Sequence, residues 1–160
     1  MSQTIAERLE KMGLALPEAP APVANYVPYL IAGDLLFISG QISKAPDGSV
    51  LKGHLGADLS VADGQKAARY CALNILAQAN AALGSLERIA QVVRLNGFVA
   101  STPEASDQPA VVNGASDLIA EVLGDAGRHT RIAVGVAALP TGCAVEIDAD
   151  IPGDIPPAAV

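Results

Sequence analysis

The sequence predicts an α+β domain in which two helices pack on one face of a mixed β-sheet. Residues 60–83 and 108–123 repeat apolar side chains at the spacing of amphipathic helices. Short apolar or alternating runs, typical of strands, lie at 26–32, 35–39, 89–99 and in the two halves of 131–150. The resulting order, β-β-α-β-α-β-β, leaves the second face of the sheet without a helix to cover it.

Composition favours one folded domain over residues 1–160, because 51% of the residues are apolar and only 17% are charged. Within it we expect an N-terminal helical extension and linker (1–24), a core (25–151) and a loose tail (152–160). Aromatic residues make up 3% of the chain and Trp is absent. Small side chains bury little area each, so the chain is expected to gain stability by forming an oligomer.

The charge balance argues against a nucleic-acid partner. The formal net charge is −7, whereas affinity for nucleic acid comes largely from basic contacts to phosphate. The first residues lack the apolar run of a signal peptide, and no apolar stretch is long and pure enough to span a bilayer. These observations predict a cytoplasmic protein with no membrane partner.

The long first helix carries its own boundary signals. Ser60, followed three residues later by Asp63, resembles a capping box, and Gly84 stands where a helix stop belongs. A short amphipathic helix is expected at 4–14, before a Pro-rich connector. The segment 40–56, rich in Gly and Pro, is expected to be a loop that walls a functional site.

Residues 131–150 organise the candidate chemistry. Arg131 begins a strand whose other side chains on the same face are small, which leaves room for a small anion beside a cation. Glu146 lies on the next strand and faces away from the core. In a tight hairpin, however, Arg131 and Glu146 would be roughly 16 Å apart at the ordinary rise of a strand. Either these strands are not nearest neighbours, or another subunit brings the two groups together.

Several kinds of site are absent from the sequence. There is no dinucleotide-binding glycine motif, phosphate-binding loop or nucleophile elbow. His54 and His129 lack the spacing of metal ligands, so neither a metal nor a cofactor is expected. Cys71 falls on the apolar stripe of the first long helix, whereas Cys143 follows a turn and is expected to have the more accessible thiol.

Two segments together resemble one protein family. Residues 36–42 read Leu-Phe-Ile-Ser-Gly-Gln-Ile, and Arg131 is followed by a strand and by Leu-Pro-x-Gly-x-x-Val-Glu, which ends at Glu146. This combination resembles the Rid (YjgF/YER/L-PSP, RidA-like) family over residues 26–150. The resemblance is closest to the branch with an N-terminal helical extension, which is often labelled endoribonuclease-like.

The resemblance implies a chorismate-mutase-like fold and a homotrimer with clefts between its subunits. It also implies hydrolysis of a reactive enamine or imine to a 2-keto acid and ammonia, without a cofactor. Arg131 matches the family's carboxylate-binding arginine, Glu146 its acid/base glutamate, and Tyr26 and Asn113 its other substrate-binding positions. Five further residues are possible walls of the cleft: Ser39, Gly40, Gln41, Gly142 and Cys143.

Three functions remain open at this stage. The first is an imine or enamine deaminase acting on a small carboxylate-bearing metabolite, since a guanidinium suits a carboxylate and Glu146 can move protons. The second is a regulatory trimer that binds such a metabolite without turnover. The third is an endoribonuclease or translation inhibitor, which the acidic charge disfavours. It also remains open whether Arg131 and Glu146 instead make structural ion pairs at a subunit interface.

Overall fold

The computed structural model describes residues 2–22 and 24–153, and it forms eight helices and strands. The helices pack against one sheet whose strands come from all parts of the chain. The elements are α1 (Ile5–Lys11), β1 (Tyr29–Ala32), β2 (Leu35–Ile42), α2 (Val61–Leu83), β3 (Arg94–Ala100), α3 (Gln108–Leu123), β4 (Thr130–Val136) and β5 (Val145–Pro152).

The five strands are ordered β1-β2-β5-β3-β4 in the sheet. Only β3 and β4 run parallel, joined through α3, and every other pair is antiparallel. The predicted α+β fold with a mixed sheet is confirmed. Because β3 lies between β4 and β5, these two strands are not a hairpin, although a short 3-10 turn at Pro140–Gly142 precedes β5.

Helices α2 and α3 cover one face of the sheet and make the core with it. Ser60 caps α2 by accepting a hydrogen bond from the backbone N–H of Asp63, and Gly84 ends it in the left-handed conformation. The helices approach so closely that a Cβ atom on Gly114 would lie 2.2 Å from the carbonyl oxygen of Gln65. The absence of a side chain at Gly114 therefore lets two helices with small side chains approach closely.

Several boundaries differ from those predicted, among them the start of β1 at Tyr29 and the end of α1 at Lys11. Strand β2 continues through Ile42, so Gly40 and Gln41 belong to a strand and not to a loop, because the long β5 supplies a partner. Strand β3 begins at Arg94 and not at residue 89, although the N–H of Val93, which is 43% exposed, still donates to the carbonyl of Asp150 at 3.0 Å. The predicted tail starts inside β5 at residue 152, and residues 154–160 lie outside the described residues.

The other face of the sheet carries apolar side chains that the chain leaves exposed. Leu30 is 58% exposed, Phe37 39%, Ile132 39% and Val134 40%. Register places them on one side, since Leu30 pairs with Phe37 on β1 and β2, while Ile132 and Val134 alternate on β4. We call this surface, together with Arg94, Asn96, Phe98, Glu146, Asp148 and Asp150, the open face.

The N-terminal segment is docked against the core. Helix α1 begins with a capping box between Thr4 and Glu7, and its Leu9 is buried. The Nη1 of Arg8 donates to the carbonyl of Val122 at 3.1 Å, which ties α1 to the end of α3. None of the helices within residues 2–22 and 24–153 has the length and apolar character needed to cross a membrane.

Candidate active site

A cavity of about 170 Å³ lies where β2 leaves the sheet and β5 enters it. Its walls come from six parts of the chain: the N-terminal connector, the segment before β1, β2 and its exit, helix α2, the turn before β5, and β5 itself. The residues that line it are Pro20, Ala21, Pro22, Tyr26, Pro28, Gly40, Gln41, Ile42, Lys44, Asn74, Pro140, Thr141 and Glu146.

A β-bulge gives Glu146 its place in this cavity. The register between β2 and β5 shifts between Ile38 and Gln41, so that one extra residue is accommodated on β2. Gly40 lies at this irregularity, and a Cβ atom there would be 2.2 Å from Oε1 of Glu146. The missing side chain therefore provides the space that the carboxyl group occupies.

The environment of Glu146 favours its protonated form. Burial raises the pKa of this carboxyl group above its ordinary value, and the nearby Asp148 carboxylate raises it further. Among the described residues, no ion pair offsets this effect at Glu146. A carboxyl group with a raised pKa in a small cavity is a candidate for proton transfer near neutral pH.

One polar residue that lines the cavity, Asn74, was not among the residues predicted from the sequence. The Nδ2 of Asn74 donates to the carbonyl oxygens of Lys44 at 3.0 Å and of Ile42 at 3.4 Å. Asn74 is 3% exposed and interrupts the apolar surface of α2. A polar residue inside an apolar helix stripe was the one available signal, because buried amides need partners.

Arg131 lies elsewhere, between β4 and α3. Its Nη1 donates to Oγ of Ser116 at 3.1 Å, and its Nη2 donates to the carbonyl of Pro109 at 3.2 Å. Arg131 is half-buried, and no described carboxylate forms an ion pair with it. Asn113 is exposed on α3, and helical spacing sets it on the same side of the helix as Pro109 and Ser116.

A chain of hydrogen bonds continues behind Arg131. His129 Nδ1 lies 2.6 Å from the carbonyl of Gly127, which can only accept, so Nδ1 carries a proton. In the neutral ring His129 Nε2 then accepts from the hydroxyl of Ser116 at 2.9 Å. The lone pairs of Ser116 are thereby left for Arg131, and this arrangement fixes the guanidinium against α3.

Within one chain, Arg131 and Glu146 lie on opposite faces of the sheet. Arg131 pairs with Leu95, which is fully buried under the helices, so its side chain leaves the sheet on the helix side. Glu146 pairs with Phe98, one of the open-face residues, and so lies on the other side. Strands β4 and β5 are not nearest neighbours, which was one of the two alternatives predicted from the sequence. Within a single chain, Arg131 and Glu146 do not come together in one site.

The remaining candidates are divided between these places. Tyr26, Gly40 and Gln41 line the cavity with Glu146, whereas Ser39 lines a shallower depression on the open face and donates to the carbonyl of Val27 at 2.8 Å. Gly142 is not among the lining residues, although Pro140 and Thr141 in the same turn are.

Surface exposure does not separate the two thiols, of which Cys143 was expected to be the more accessible. Cys143 and Cys71 are both fully buried, and burial raises the pKa of each thiol, that of Cys143 to about 11. In the described part of the chain, no group of three or more His, Cys, Asp or Glu side chains is placed to hold a metal ion. His54 instead directs its Nε2 to the carbonyl of Ala137, at 2.9 Å.

Comparison with known proteins identifies the family of this chain. The sequence model of the family described as YjgF/chorismate mutase-like, putative endoribonuclease, matches residues 6–151. The chain belongs to this family. Individual relatives are similar to it over most of its length.

Among its relatives, protein TCP17 of Trypanosoma cruzi is 52% identical over 149 residues, which are 92% of this chain and 93% of that protein. The crystal structure of Atu1372 from Agrobacterium tumefaciens, a protein of unknown function, is 51% identical and covers 94% of both chains with a TM-score of 0.87. The structure of Escherichia coli TdcF with bound serine is 26% identical, with a TM-score of 0.62, covering 84% of this chain and 93% of that chain.

Proposed function

We propose that this protein hydrolyses a small imino or enamino acid to a 2-keto acid and ammonia. The observation that carries the proposal is Glu146, a carboxyl group of raised pKa in a small cavity where Gly40 leaves it room. Such a group can take a proton from water at one step and return it at the next. The reaction needs no redox change and no group beyond water, substrate and this carboxyl.

The steps follow from the chemistry of an imine. The imine reacts in its protonated form, and an enamine does so after tautomerising to the imine. Glu146 as carboxylate accepts a proton from a water molecule while the water oxygen bonds to the imine carbon, which gives a neutral carbinolamine. Protonated Glu146 returns this proton to the nitrogen, and as the C–N bond breaks the hydroxyl proton passes to the Glu146 carboxylate and the carbonyl forms. Glu146 then gives that proton to the departing ammonia, so one protonated imine and one water become one 2-keto acid and one ammonium ion, and Glu146 ends as it began.

The substrate carboxylate also needs an anchor, and we assign this role to Arg131. A guanidinium offers paired N–H groups in the geometry of a carboxylate. Arg131 uses Nη1 and Nη2 once each for Ser116 and Pro109, so further donors remain for a ligand. Because Arg131 and Glu146 lie on opposite faces of one sheet, the anchor must come from a neighbouring copy of the chain.

A homotrimer meets this requirement. The open face exposes Leu30, Phe37, Ile132 and Val134, a set of apolar side chains that a second and a third copy would bury. Strand β4 is at the edge of the sheet, so its Arg131 can approach the cavity of an adjacent copy. Light scattering in dilute solution should give three times the mass of the chain, and a monomer mass would contradict the shared site.

The TdcF structure supports a carboxylate ligand. That protein holds serine, an amino acid, so a relative of the same fold accommodates a small molecule with a carboxylate. The same observation favours a second candidate function, in which this protein binds a metabolite without converting it. A ribonuclease role is less well supported, since the net charge is −7 and Lys44 is the only cationic residue lining the described cavity.

A direct assay separates these functions. An imino acid is generated in the cuvette by an amino-acid oxidase, and 2-keto acid formation is followed with and without the protein. The proposal expects release faster than the spontaneous rate, and it expects that the Glu146→Gln variant does not accelerate release. Calorimetric binding of pyruvate without any acceleration would instead establish the regulatory function.

A further inference from the structure

We propose that the N-terminal connector, residues 17–22, is the wall that limits the length of the ligand, and that Gln78 is the residue that fixes it. This inference rests on the proposed function, because it concerns the ligand of the Glu146 cavity. It assigns a role in specificity to a segment that lies far from Glu146 in sequence. Pro20, Ala21 and Pro22 line that cavity directly.

The buried amide of Gln78 is the first observation. Gln78 lies on α2, is 1% exposed, and its Nε2 donates to the carbonyl of Pro20 at 2.7 Å, across 58 residues of sequence. Burying an amide is costly unless it is hydrogen-bonded, and an apolar residue would satisfy the core alone. The side chain is therefore explained by the connector that it holds.

A second amide lies one turn earlier on the same helix. Asn74 holds the exit of β2 through the carbonyls of Lys44 and Ile42. Lys44 and Ile42 line the cavity, as Pro20 does. Helix α2 thus uses two amides at i and i+4 to set two separate walls of one cavity.

The connector is built to stay in place. Its prolines, Pro17, Pro20 and Pro22, fix the backbone angle φ and stiffen the segment. Before it, α1 is docked through the buried Leu9 and through the bond from Arg8 to Val122. The chain is therefore held at α1, before the connector, and at Pro20, within it. The connector is a fixed boundary for a ligand and not a flap.

The direction of the ligand follows from these positions. Its carboxylate faces Arg131 of the neighbouring copy and its reacting carbon faces Glu146, so its side chain has to fit within the remaining walls. A cavity of about 170 Å³ bounded by Pro20–Pro22 suits short side chains. The structure therefore predicts short-chain imino and 2-keto acids as ligands, with affinity falling as the chain lengthens.

The test uses one variant and one matched control. Gln78→Leu removes the bond to Pro20 while keeping a side chain of similar size. Gln65→Leu removes a similar bond, from Nε2 to the carbonyl of Ala110 at 2.9 Å, on the same helix but away from the cavity. Affinities for pyruvate, 2-ketobutyrate and 2-ketohexanoate are measured by calorimetry, and cleavage after the exposed Glu18 is timed with a glutamyl endopeptidase.

The endopeptidase should cleave Gln78→Leu after Glu18 about fivefold faster than wild type, because the hydrogen bond from Gln78 no longer holds the connector closed. Wild type should bind pyruvate more tightly than 2-ketohexanoate. In Gln78→Leu the ratio of these two affinities should be about tenfold smaller, which is the discrimination that a pocket wall gives. Gln65→Leu should change neither quantity. If Gln78→Leu does not fold, Gln78→Met replaces it, since its unbranched side chain keeps the shape of glutamine.

Equal cleavage rates in the two variants would overturn the anchoring role of Gln78. Faster cleavage with an unchanged dependence on ligand length would overturn the connector as the specificity wall. If wild type binds none of the three acids, the proposed function fails and the ligand role fails with it. Faster cleavage of Gln78→Leu in that case shows that the anchor itself is intact.

Discussion

The two halves of the candidate site are built in different ways. Glu146 lies in a cavity lined by several separate parts of the chain, and burial raises the pKa of its carboxyl group. Arg131 lies on the edge strand β4, where Ser116 and Pro109 hold its guanidinium. One half can transfer protons but lacks a strong anchor for an anion, and the other has the anchor but no acid or base paired with it.

In the proposed trimer this difference would let one sheet serve two clefts. Side chains alternate along strands, so the proposed acid/base Glu146 on β5 and the proposed anchor Arg131 on β4, with β3 between them, point to opposite faces. Each copy of the chain would then offer its cavity to one neighbour and its arginine to another, as a closed ring of copies requires. Single-residue variants separate the two halves.

Glu146→Gln should lower imine turnover by about 10²–10⁴-fold, because the amide keeps the shape of the side chain but cannot transfer the proton. Affinity for a 2-keto acid should change little. Asp150→Asn is the control, since it makes the same chemical change on the same face of β5 but outside the cavity. Steady-state rates that fall equally in both variants would contradict the role of Glu146.

Gly40→Ala should lower turnover by roughly a hundredfold, the effect of displacing a catalytic group by about 1 Å. The added Cβ would occupy the position of Oε1, so the flexible carboxyl group moves while the backbone stays. The melting temperature should therefore remain near that of wild type. A variant that keeps full activity would show that Glu146 need not occupy the position seen here.

Arg131→Ala should weaken binding of a 2-keto acid by roughly ten- to over a hundredfold, the effect of losing charge-assisted hydrogen bonds of about 1.5–3 kcal/mol. Arg131→Lys should restore little, because an ammonium group lacks the planar pair of donors. Arg128→Ala serves as the control, since that side chain is 83% exposed and its one ion pair among the described residues is with Asp125. Unchanged calorimetric affinity in a folded Arg131→Ala protein would remove the anchor.

Asp148, which lies beside Glu146 on the open face, should make the stability of the protein depend weakly on pH. Burial raises the pKa of Asp148 above its ordinary 3.8, and Asp150 adds to this, against the hydrogen bond from Asn96. The folded chain then keeps a proton that the unfolded chain releases, so stability falls as pH rises from about 4 through the raised pKa. Urea unfolding between about pH 4 and 7 should show a shallower fall for Asp148→Asn, and identical slopes would contradict this.

Local patterns in the sequence were enough to predict the positions of the two long helices. The predicted bounds of α3, Gln108–Leu123, are those observed, because an amphipathic repeat ends at a glycine. The strand order and the bulge opposite Glu146 were not predictable, since they depend on pairing between β2 and β5, about a hundred residues apart. The family resemblance supplied the fold where periodicity could not.

The sequence predicted which residues belong to the candidate site, but it did not predict how they are arranged in space. Arg131 and Glu146 stood out by their chemistry, yet their placement on opposite faces follows from β3 lying between β4 and β5. The walls formed by Pro20 and Asn74 were missed because their contacts join distant segments. The polar interruptions of α2 at Asn74 and Gln78 were visible in the sequence, and each has a buried hydrogen bond in the structure.

In the proposed assembly Arg131 of one copy and Glu146 of another form one active site, and trimers mixed from two variants distinguish a shared site from separate ones. Arg131→Ala and Glu146→Gln chains are unfolded together, refolded at equal ratio and assayed for imine hydrolysis at a substrate concentration at which each variant alone is nearly inactive. Every mixed trimer contains one cleft with both groups intact, so about a quarter of wild-type activity should return. Activity that stays at the sum of the two parent variants would contradict a site shared between subunits.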